Sequence, residues 1–133
     1  MRIIILGCGR TGAKLAQSLV NKKHEVSVID QNEDAFRLLG EFSGAVVIGK
    51  GIDQDILRKA GIENADAFIA VTNADNTNIM AGQIARDKFK VKKIVVRVDD
   101  PIRAGAYREL GLIAICPSDI ISGLIEKEVG KKA

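Results

Sequence analysis

The sequence predicts an α/β fold in which six parallel strands form a doubly wound sheet with helices on both faces. Six short apolar runs alternate with stretches of helical periodicity, and strict alternation of strand and helix is typical of a parallel sheet. The runs are continuously apolar and rich in Val and Ile, which indicates strands buried on both faces. Right-handed crossovers then give a Rossmann-like sheet, for which we expect the strand order 3-2-1-4-5-6.

Each element follows from a local pattern, taken in chain order. The apolar runs predict strands at residues 2–6, 26–29, 45–48, 67–71, 94–98 and 112–115. The intervening stretches predict helices at residues 11–21, 32–40, 53–60, 75–89, 101–110 and 118–129. In the first helix, Leu15, Leu19 and Val20 recur at helical spacing.

Capping residues delimit several of the later helices. Asn32 is the expected N-cap of the second helix, and Gly40 is its expected C-terminal stop. Gly61 ends the third helix. Asp100 is the expected cap of the fifth helix, because Pro101 then occupies the first helical position, which proline favours.

Composition indicates one globular domain spanning residues 1–133. Hydrophobic residues make up 47% and charged residues 28% of the 133 positions, as in ordinary globular proteins. Two cysteines are too few for a disulfide scaffold, and the apolar runs are too short to span a membrane. With no signal-peptide pattern, a cytoplasmic location is expected. A net charge of +3 with 4% aromatic residues does not predict a nucleic-acid surface.

A glycine-rich turn connects the first strand to the first helix and is the strongest functional signal. Its sequence is Gly7-Cys8-Gly9-Arg10-Thr11-Gly12. In such a turn the first glycine permits the tight bend, the second admits a pyrophosphate, and the third lets helix and strand pack closely. Asp30 ends the second strand, where a carboxylate suits two ribose hydroxyls and repels a 2′-phosphate, and Gln31 follows it. The pattern predicts dinucleotide binding rather than a plain tight turn.

Other candidate contacts follow the remaining strands. Arg10 either grips a phosphate or is a solvated side chain on the first turn of its helix. Gly51 and Asp53 follow the third strand, and Asp53 either caps the next helix or lies near an adenine edge. Thr72 and Asn73 follow the fourth strand, across the expected crevice from the glycine turn.

Two further residues carry open alternatives. Arg97 ends an apolar strand, so it either pairs with Asp99 or Asp100 or contacts a nucleotide or an adjoining subunit. Cys8 lies at a helix N-terminus, a position that lowers the pKa of a thiol. It is therefore either a redox sensor or a small residue that fills the loop.

The sequence lacks the parts that turnover of a bound dinucleotide needs. Hydride transfer requires a proton donor or acceptor and a second-substrate pocket. Tyr107 has Arg103 and Gly111 four residues away on either side, and neither is the lysine of a Tyr-Lys pair. One histidine and two distant cysteines predict no metal site. We expect a binding protein without catalysis, and a small NAD-dependent oxidoreductase is the alternative.

Several segments together resemble the nucleotide-binding TrkA-N domain, the N-terminal (KTN) lobe of RCK regulators of potassium uptake systems and channels. The segments that carry the resemblance are residues 4–12, 28–30, 49–53, 61–67, 70–73, 97–98 and 107–111, and Pro117. Lys50 and Ile52 depart from the Asp and Thr usual in that family. The chain also stops where the C-terminal lobe of an RCK domain would begin.

The resemblance implies a regulatory subunit that senses a nucleotide and passes its binding to a potassium transporter or channel. NAD(H) is the favoured ligand and ATP or ADP the alternative. Arg10 would contact phosphates, Asp30 the ribose, and Arg97 with Glu109 a neighbouring subunit. A homodimer or larger ring is expected, located in the cytoplasm at the inner face of the membrane through the transporter.

The last helix carries an apolar stripe that either covers its own sheet or contacts a second chain. The stripe consists of Ile120, Ile121, Leu124, Ile125 and Val129. The family resemblance favours contact with a second chain.

Overall fold

The computed structural model describes residues 1–132 and contains one six-stranded sheet. The strands are β1 (Arg2–Leu6), β2 (Glu25–Asp30), β3 (Ala45–Ile48), β4 (Ala67–Ala70), β5 (Lys93–Arg97) and β6 (Ile113–Ile115). The α-helices are α1 (Arg10–Asn21), α2 (Gln54–Lys59), α3 (Asp75–Asp87), α4 (Pro101–Glu109) and α5 (Pro117–Val129). Short 3₁₀ helices occur at Glu33–Leu39 and Ile62–Asn64.

All strands are parallel, in the order β3-β2-β1-β4-β5-β6, which confirms the predicted topology. Leu6 pairs with Ile29 of β2 and with Ala70 of β4. The carboxyl ends of these three central strands therefore meet at one edge. The chain turns in opposite directions from β1 and β4, so a crevice opens between the loops that follow them.

The central strands are buried on both faces, as continuous apolar runs predict. Ile3 and Ile5 of β1 face α1, whereas Ile4 and Leu6 belong to the core under α2, α3 and α4. All four side chains are at most 3% exposed. Burying a side chain of this size contributes about 1.5–3 kcal/mol, so these strands hold the loops at their carboxyl ends in place.

The predicted helix ends are largely confirmed. The side chains of Asn32, Asp53 and Asp100 each accept a hydrogen bond from the backbone N–H two residues later. Gly40 ends the second helix with φ +59°, a conformation that glycine adopts without strain. The α5 helix begins at Pro117, one residue earlier than predicted, because proline suits the first helical turn.

The segment after β2 differs from the expectation of an α-helix. Residues Glu33–Leu39 form a 3₁₀ helix, a form that occurs in short connecting segments such as this one between the Asn32 cap and Gly40. The turn Ile62–Asn64 was not expected from the sequence, since three residues carry no helical period.

The α5 helix does not cover its own sheet, so that alternative for its apolar stripe is wrong. None of its residues is buried, and Ile121, Leu124 and Ile125 are 56–60% exposed. On β6, the strand that precedes α5 in the chain, Ile113 and Ile115 are 49% and 40% exposed. None of the helices within residues 1–132 combines the length and apolar character needed to cross a bilayer.

Candidate functional site

A cleft of about 660 Å³ lies at the carboxyl ends of the central strands. This volume is in the range of small-molecule and cofactor sites. The cleft is lined by residues of the loops after β1, β2, β3 and β4, namely Leu6, Gly7, Cys8, Gly9, Asp30, Gln31, Asn32, Ala35, Leu38, Gly49, Lys50, Gly51, Ile52, Thr72, Asn73, Ala74 and Thr77. The sheet topology thus brings together the glycine turn, the acidic end of β2 and the loop after β4.

The three glycines of the turn differ in whether backbone conformation or packing excludes a side chain at their position. Gly7 has φ +108°, and a Cβ there would lie 3.0 Å from the backbone of Thr72. A Cβ on Gly12 would lie 1.8 Å from the Gly7 carbonyl oxygen. Gly9 has an ordinary φ of −80°, and a Cβ there would meet no atom within 4 Å. The fold therefore requires glycine at positions 7 and 12, whereas the empty space at Gly9 faces the cleft.

The N-terminus of α1 opens at this space. Gly9 is the N-cap residue, and no side chain caps the helix. The first N–H groups of a helix have no intrahelical partner, and together with the helix dipole they attract anions. The turn and helix can therefore hold a phosphate next to Gly9.

Asp30 links the glycine turn to the end of β2. Its Oδ2 accepts a hydrogen bond from the Cys8 backbone N–H at 2.8 Å, and its Oδ1 accepts one from the Asn32 N–H at 2.9 Å. A carboxylate has about four lone-pair sites, so two remain for other donors. The backbone bonds fix the carboxylate at the cleft wall, where it can accept from hydroxyl groups of a ligand.

The loop after β3 closes one side of the cleft. Gly51 is buried, and a Cβ there would lie 2.3 Å from Leu6 side-chain carbons, so packing requires glycine. Leu38 and Ile52 line the cleft although they are 57% and 39% exposed. These two side chains offer apolar surface to a flat group, and the exposed residue Lys50 also lines the cleft.

The loop after β4 forms the opposite side. Thr72 and Asn73 both line the cleft, as expected from their position across the crevice from the glycine turn. Thr72 is held by the buried side chain of Asn78 on α3, which accepts from the Thr72 N–H at 3.0 Å and from its hydroxyl at 2.6 Å. The loop is thus fixed from behind.

Five of the predicted cofactor contacts do not line the cleft, namely Arg10, Thr11, Gly12, Asp53 and Arg97. Gly12 is buried in α1 against the Gly7 carbonyl. Arg10 and Thr11 are exposed on the first turn of α1. Asp53 caps α2 through the Asp55 N–H at 2.9 Å, which is the capping alternative. Arg97 is 28% exposed, and its Nε lies 2.8 Å from Asp99 Oδ1, so the structural pairing named above is present.

Glu109 lies on the exposed surface of α4 and forms no ion pair with the other residues of the described chain. It is not paired with Arg97, which is engaged by Asp99. The coupling role of Glu109 with a neighbouring subunit stays a prediction.

Cys8 is buried against the loop after β2. Its side chain is 0% exposed, and its thiol donates to the Ala35 carbonyl oxygen at 3.4 Å. Burial, followed by the charge of Asp30, raises the pKa of Cys8 above its ordinary value. The expected lowering by the helix N-terminus is therefore wrong, and the geometry favours the loop-filling alternative over a reactive thiolate.

Several lining residues were not identified from the sequence as ligand contacts. Leu38 and Ala35 lie three residues apart in the 3₁₀ helix, so they share one side of it. Exposed apolar side chains in a short helix are the signal that would have found them, but exposure is not readable from the sequence. Among residues 1–132, no group of three His, Cys, Asp or Glu side chains is arranged to hold a metal ion.

Comparison with known proteins places this geometry in a family. The family model for the TrkA-N domain matches residues 3–117. A relative from Streptomyces coelicolor named "Trk system potassium uptake protein TrkA" is 50% identical over 113 residues, which are 84% of this chain and 51% of the relative. This chain thus spans about half the length of that relative.

Two solved structures have the same fold. The TrkA-N domain of the inner membrane protein ybaL from Escherichia coli superposes with a TM-score of 0.84 at 20% identity, covering 98% of this chain and 96% of that one. The structure titled "Crystal structure of the GsuK bound to ADP" superposes with a TM-score of 0.81 at 25% identity, covering 97% of this chain and 34% of that one.

Proposed function

Because the chain belongs to the TrkA-N domain family, we propose that it is the nucleotide-binding regulatory domain of a potassium uptake or potassium channel system. The single observation that carries the nucleotide part is the space at Gly9. Neither backbone conformation nor packing requires glycine there, yet a side chain would fill the mouth of the anion-binding helix N-terminus. A site for a phosphate-bearing ligand explains this residue, and folding alone does not.

In this proposal the ligand extends along the cleft in a fixed direction. Its phosphates lie at Gly9 and the first turn of α1, and its ribose hydroxyls donate to Asp30. The base then lies between Leu38 and Ile52, and the remainder of a dinucleotide reaches Thr72 and Asn73. A ligand with two halves would occupy both sides of the crevice, which supports NAD(H) as the first candidate.

ATP and ADP are the second candidates. Both share the phosphate and ribose groups that the Gly9 space and Asp30 would recognise, and GsuK, one of the proteins of this fold, was solved with ADP. NADP is disfavoured because its 2′-phosphate would approach the Asp30 carboxylate.

The proposed role is regulation without turnover. Of the side chains that line the cleft, Cys8, Asp30 and Lys50 are the ionisable ones. Cys8 is buried as a thiol, and Asp30 is held by two backbone N–H groups. Tyr107 lies outside the cleft lining. Lys50 is the remaining ionisable side chain of the lining, and without the tyrosine of a Tyr-Lys pair beside it the oxidoreductase alternative is not preferred.

A second copy of the chain is the proposed partner of the α5 stripe, and a membrane potassium transporter or channel is the proposed partner of the assembly. The stripe faces solvent along α5, and Ile113 and Ile115 of the edge strand β6 are also exposed. Mutual burial of these apolar surfaces would favour a homodimer or a larger ring. The domain would then be cytoplasmic and held at the inner face of the membrane through the transporter.

Calorimetric titration of nucleotide-free protein tests the proposal. We expect NAD, NADH, ADP and ATP to give measurable binding, and we expect NADP to bind at least tenfold more weakly than NAD. GTP and a ribose-free phosphate such as pyrophosphate serve as controls for base and ribose recognition. Absence of binding by all adenine nucleotides at millimolar concentration would contradict the proposed function.

A further inference from the structure

The first turn of α3 is a junction of hydrogen bonds between the cleft and the next strand. The amide of Asn78 is fully buried. Its Oδ1 accepts from the N–H and the hydroxyl of Thr72, at 3.0 and 2.6 Å. Its Nδ2 donates to the carbonyl oxygens of Thr72, at 3.0 Å, and of Arg97, at 2.9 Å. Both donors and both acceptor positions of the amide are therefore used.

The position of Asn78 explains why an amide is buried there. The hydrogen-bonded ladder between β4 and β5 ends at the pair Ala70 and Val96. Beyond that pair the strand ends need other partners, since unpaired backbone groups are costly to bury. Asn78 supplies them for Thr72 and Arg97, where an apolar side chain of similar size would leave these groups unpaired.

A second residue of the same turn extends the junction to α4. The Asp75 carboxylate accepts from the backbone N–H groups of Asp99 and Asp100, at 2.8 and 3.1 Å. Asp100 in turn caps α4 through the Ile102 N–H at 3.0 Å. One helical turn therefore holds a cleft residue, the end of β5 and the beginning of α4.

We propose that Asn78 is a positioning residue that couples occupancy of the cleft to the segment 97–101 at the start of α4. A ligand that contacts Thr72 biases a loop whose backbone and hydroxyl are both bonded to Asn78. Because the same amide donates to the Arg97 carbonyl oxygen, a change in the mobility of Thr72 also changes the mobility of the β5–α4 connection. This inference rests on the proposed function only for the identity of the ligand, and not for the hydrogen-bonded connection.

Amide hydrogen exchange on the whole chain tests the coupling with NAD as the probe. In the native protein we expect NAD to slow exchange in the glycine turn, at Thr72 and also at Asp99 and Asp100, which do not line the cleft. In Asn78→Leu we expect exchange at Thr72, Asp99 and Asp100 to be roughly tenfold faster without ligand, because several hydrogen bonds are lost together. NAD should then protect the glycine turn and leave Asp99 and Asp100 unprotected.

A matched variant separates positioning from general stability. Ile79 is the neighbouring buried residue of α3 and packs in the core without contacting the cleft. Ile79→Val should lower the unfolding midpoint and keep the NAD-induced protection of Asp99 and Asp100. If Asn78→Leu retains that protection, the coupling is overturned.

The replacement Asn78→Asp provides a second test if Asn78→Leu does not fold. Its carboxylate keeps the acceptor role toward Thr72 but faces two carbonyl oxygens, and protonation restores one donor. The NAD-induced protection of Asp99 and Asp100 should therefore be present near about pH 5 and be lost as the pH rises toward about 8.

The charged groups around position 78 are already engaged. They are Asp75 on α3 and Arg97 with Asp99 at this end of β5, whereas Lys93 lies at the other end of that strand. β4 carries no charged residue. A pH dependence of the Asn78→Asp variant is therefore attributed to the new carboxyl group. If NAD protects Asp99 and Asp100 in this variant as it does in the native protein at every pH, the inference is overturned.

The outcomes also distinguish this inference from the proposed function. If neither NAD nor ADP slows hydrogen exchange anywhere in the native protein, the proposed nucleotide binding is wrong. The coupling is then decided by comparing hydrogen exchange of the native protein and Asn78→Leu without ligand. Joint acceleration at Thr72 and at Asp99 and Asp100 in Asn78→Leu supports it, and acceleration confined to Thr72 overturns it.

Discussion

Replacing Asp30 with alanine should weaken NAD binding and change the choice between NAD and NADP. In the proposed complex the carboxylate accepts from two ribose hydroxyls while keeping its bonds to the N–H groups of Cys8 and Asn32. A hydrogen bond to a charged group contributes about 1.5–3 kcal/mol, and 1.4 kcal/mol is a factor of ten in affinity. Loss of one such bond predicts about a tenfold weaker complex, and loss of both predicts on the order of a hundredfold or more.

The variant also removes the support of the glycine turn, so affinity alone does not isolate the ribose contact. The ratio of NAD to NADP affinity does, because both ligands share the same turn and differ only at the 2′-position. We expect titration calorimetry to give a native protein that prefers NAD by at least tenfold and an Asp30→Ala variant with most of that preference lost. Asn32→Ala is the control for disturbance of the loop after β2, since it removes the side-chain cap on the Asp34 N–H and keeps the carboxylate with its bond to the Cys8 N–H. Equal NAD and NADP affinities in the native protein would refute the reasoning.

Four further predictions, the first with a control substitution, concern other parts of the molecule. Gly9→Val should abolish nucleotide binding while circular dichroism and thermal cooperativity stay native-like, because its Cβ meets open space; Gly12→Ala should instead destabilise the fold, since its Cβ would meet the Gly7 carbonyl at 1.8 Å. The pKa of Cys8 is raised in the fold, so its thiol ionises more readily in the unfolded chain. The free energy of unfolding should therefore fall as the pH rises above the ordinary thiol pKa of 9.0. Urea unfolding at a series of pH values should show a smaller fall of this free energy with pH for Cys8→Ala than for the native protein. Leu124→Glu should shift an oligomer toward monomer in sedimentation velocity without altering the circular dichroism spectrum, because this side chain is 60% exposed in the single chain. Glu109→Gln should reduce the effect of nucleotide on self-association more than it reduces nucleotide affinity; an unchanged coupling would remove Glu109 from the proposed subunit contact.

The fold could be predicted because its strongest signals are local and agree with one another. Continuous apolar runs identify strands with two buried faces, and the alternation with helices leaves few topologies. The glycine turn and Asp30 were found for the same reason, since their spacing places both at the carboxyl edge of adjacent strands. The expected positions of Thr72 and Asn73 followed from that topology and agree with the lining of the cleft.

The features that the sequence did not predict depend on tertiary packing. A sequence pattern of six or seven residues does not distinguish a 3₁₀ helix from an α-helix. The helix type of Glu33–Leu39 and the position of Leu38 in the cleft were therefore not predicted. Asn78 stands within a helical stretch like many surface residues, and only the ends of β4 and β5 reveal why it is buried. The stripe on α5 has the same spacing whether it covers its own sheet or another chain. Its exposure is a property of the assembled fold.

Sedimentation equilibrium of the nucleotide-free protein, with and without saturating NAD, tests the regulatory claim most directly. A domain that binds a ligand without chemistry acts by differential affinity between two states, and we propose that the two states of this domain differ in self-association. We predict a homodimer or larger oligomer whose association constant changes by at least fivefold when NAD binds, which corresponds to a coupling free energy of about 1 kcal/mol. A protein that binds NAD and remains monomeric at high micromolar concentration in both conditions would contradict the account.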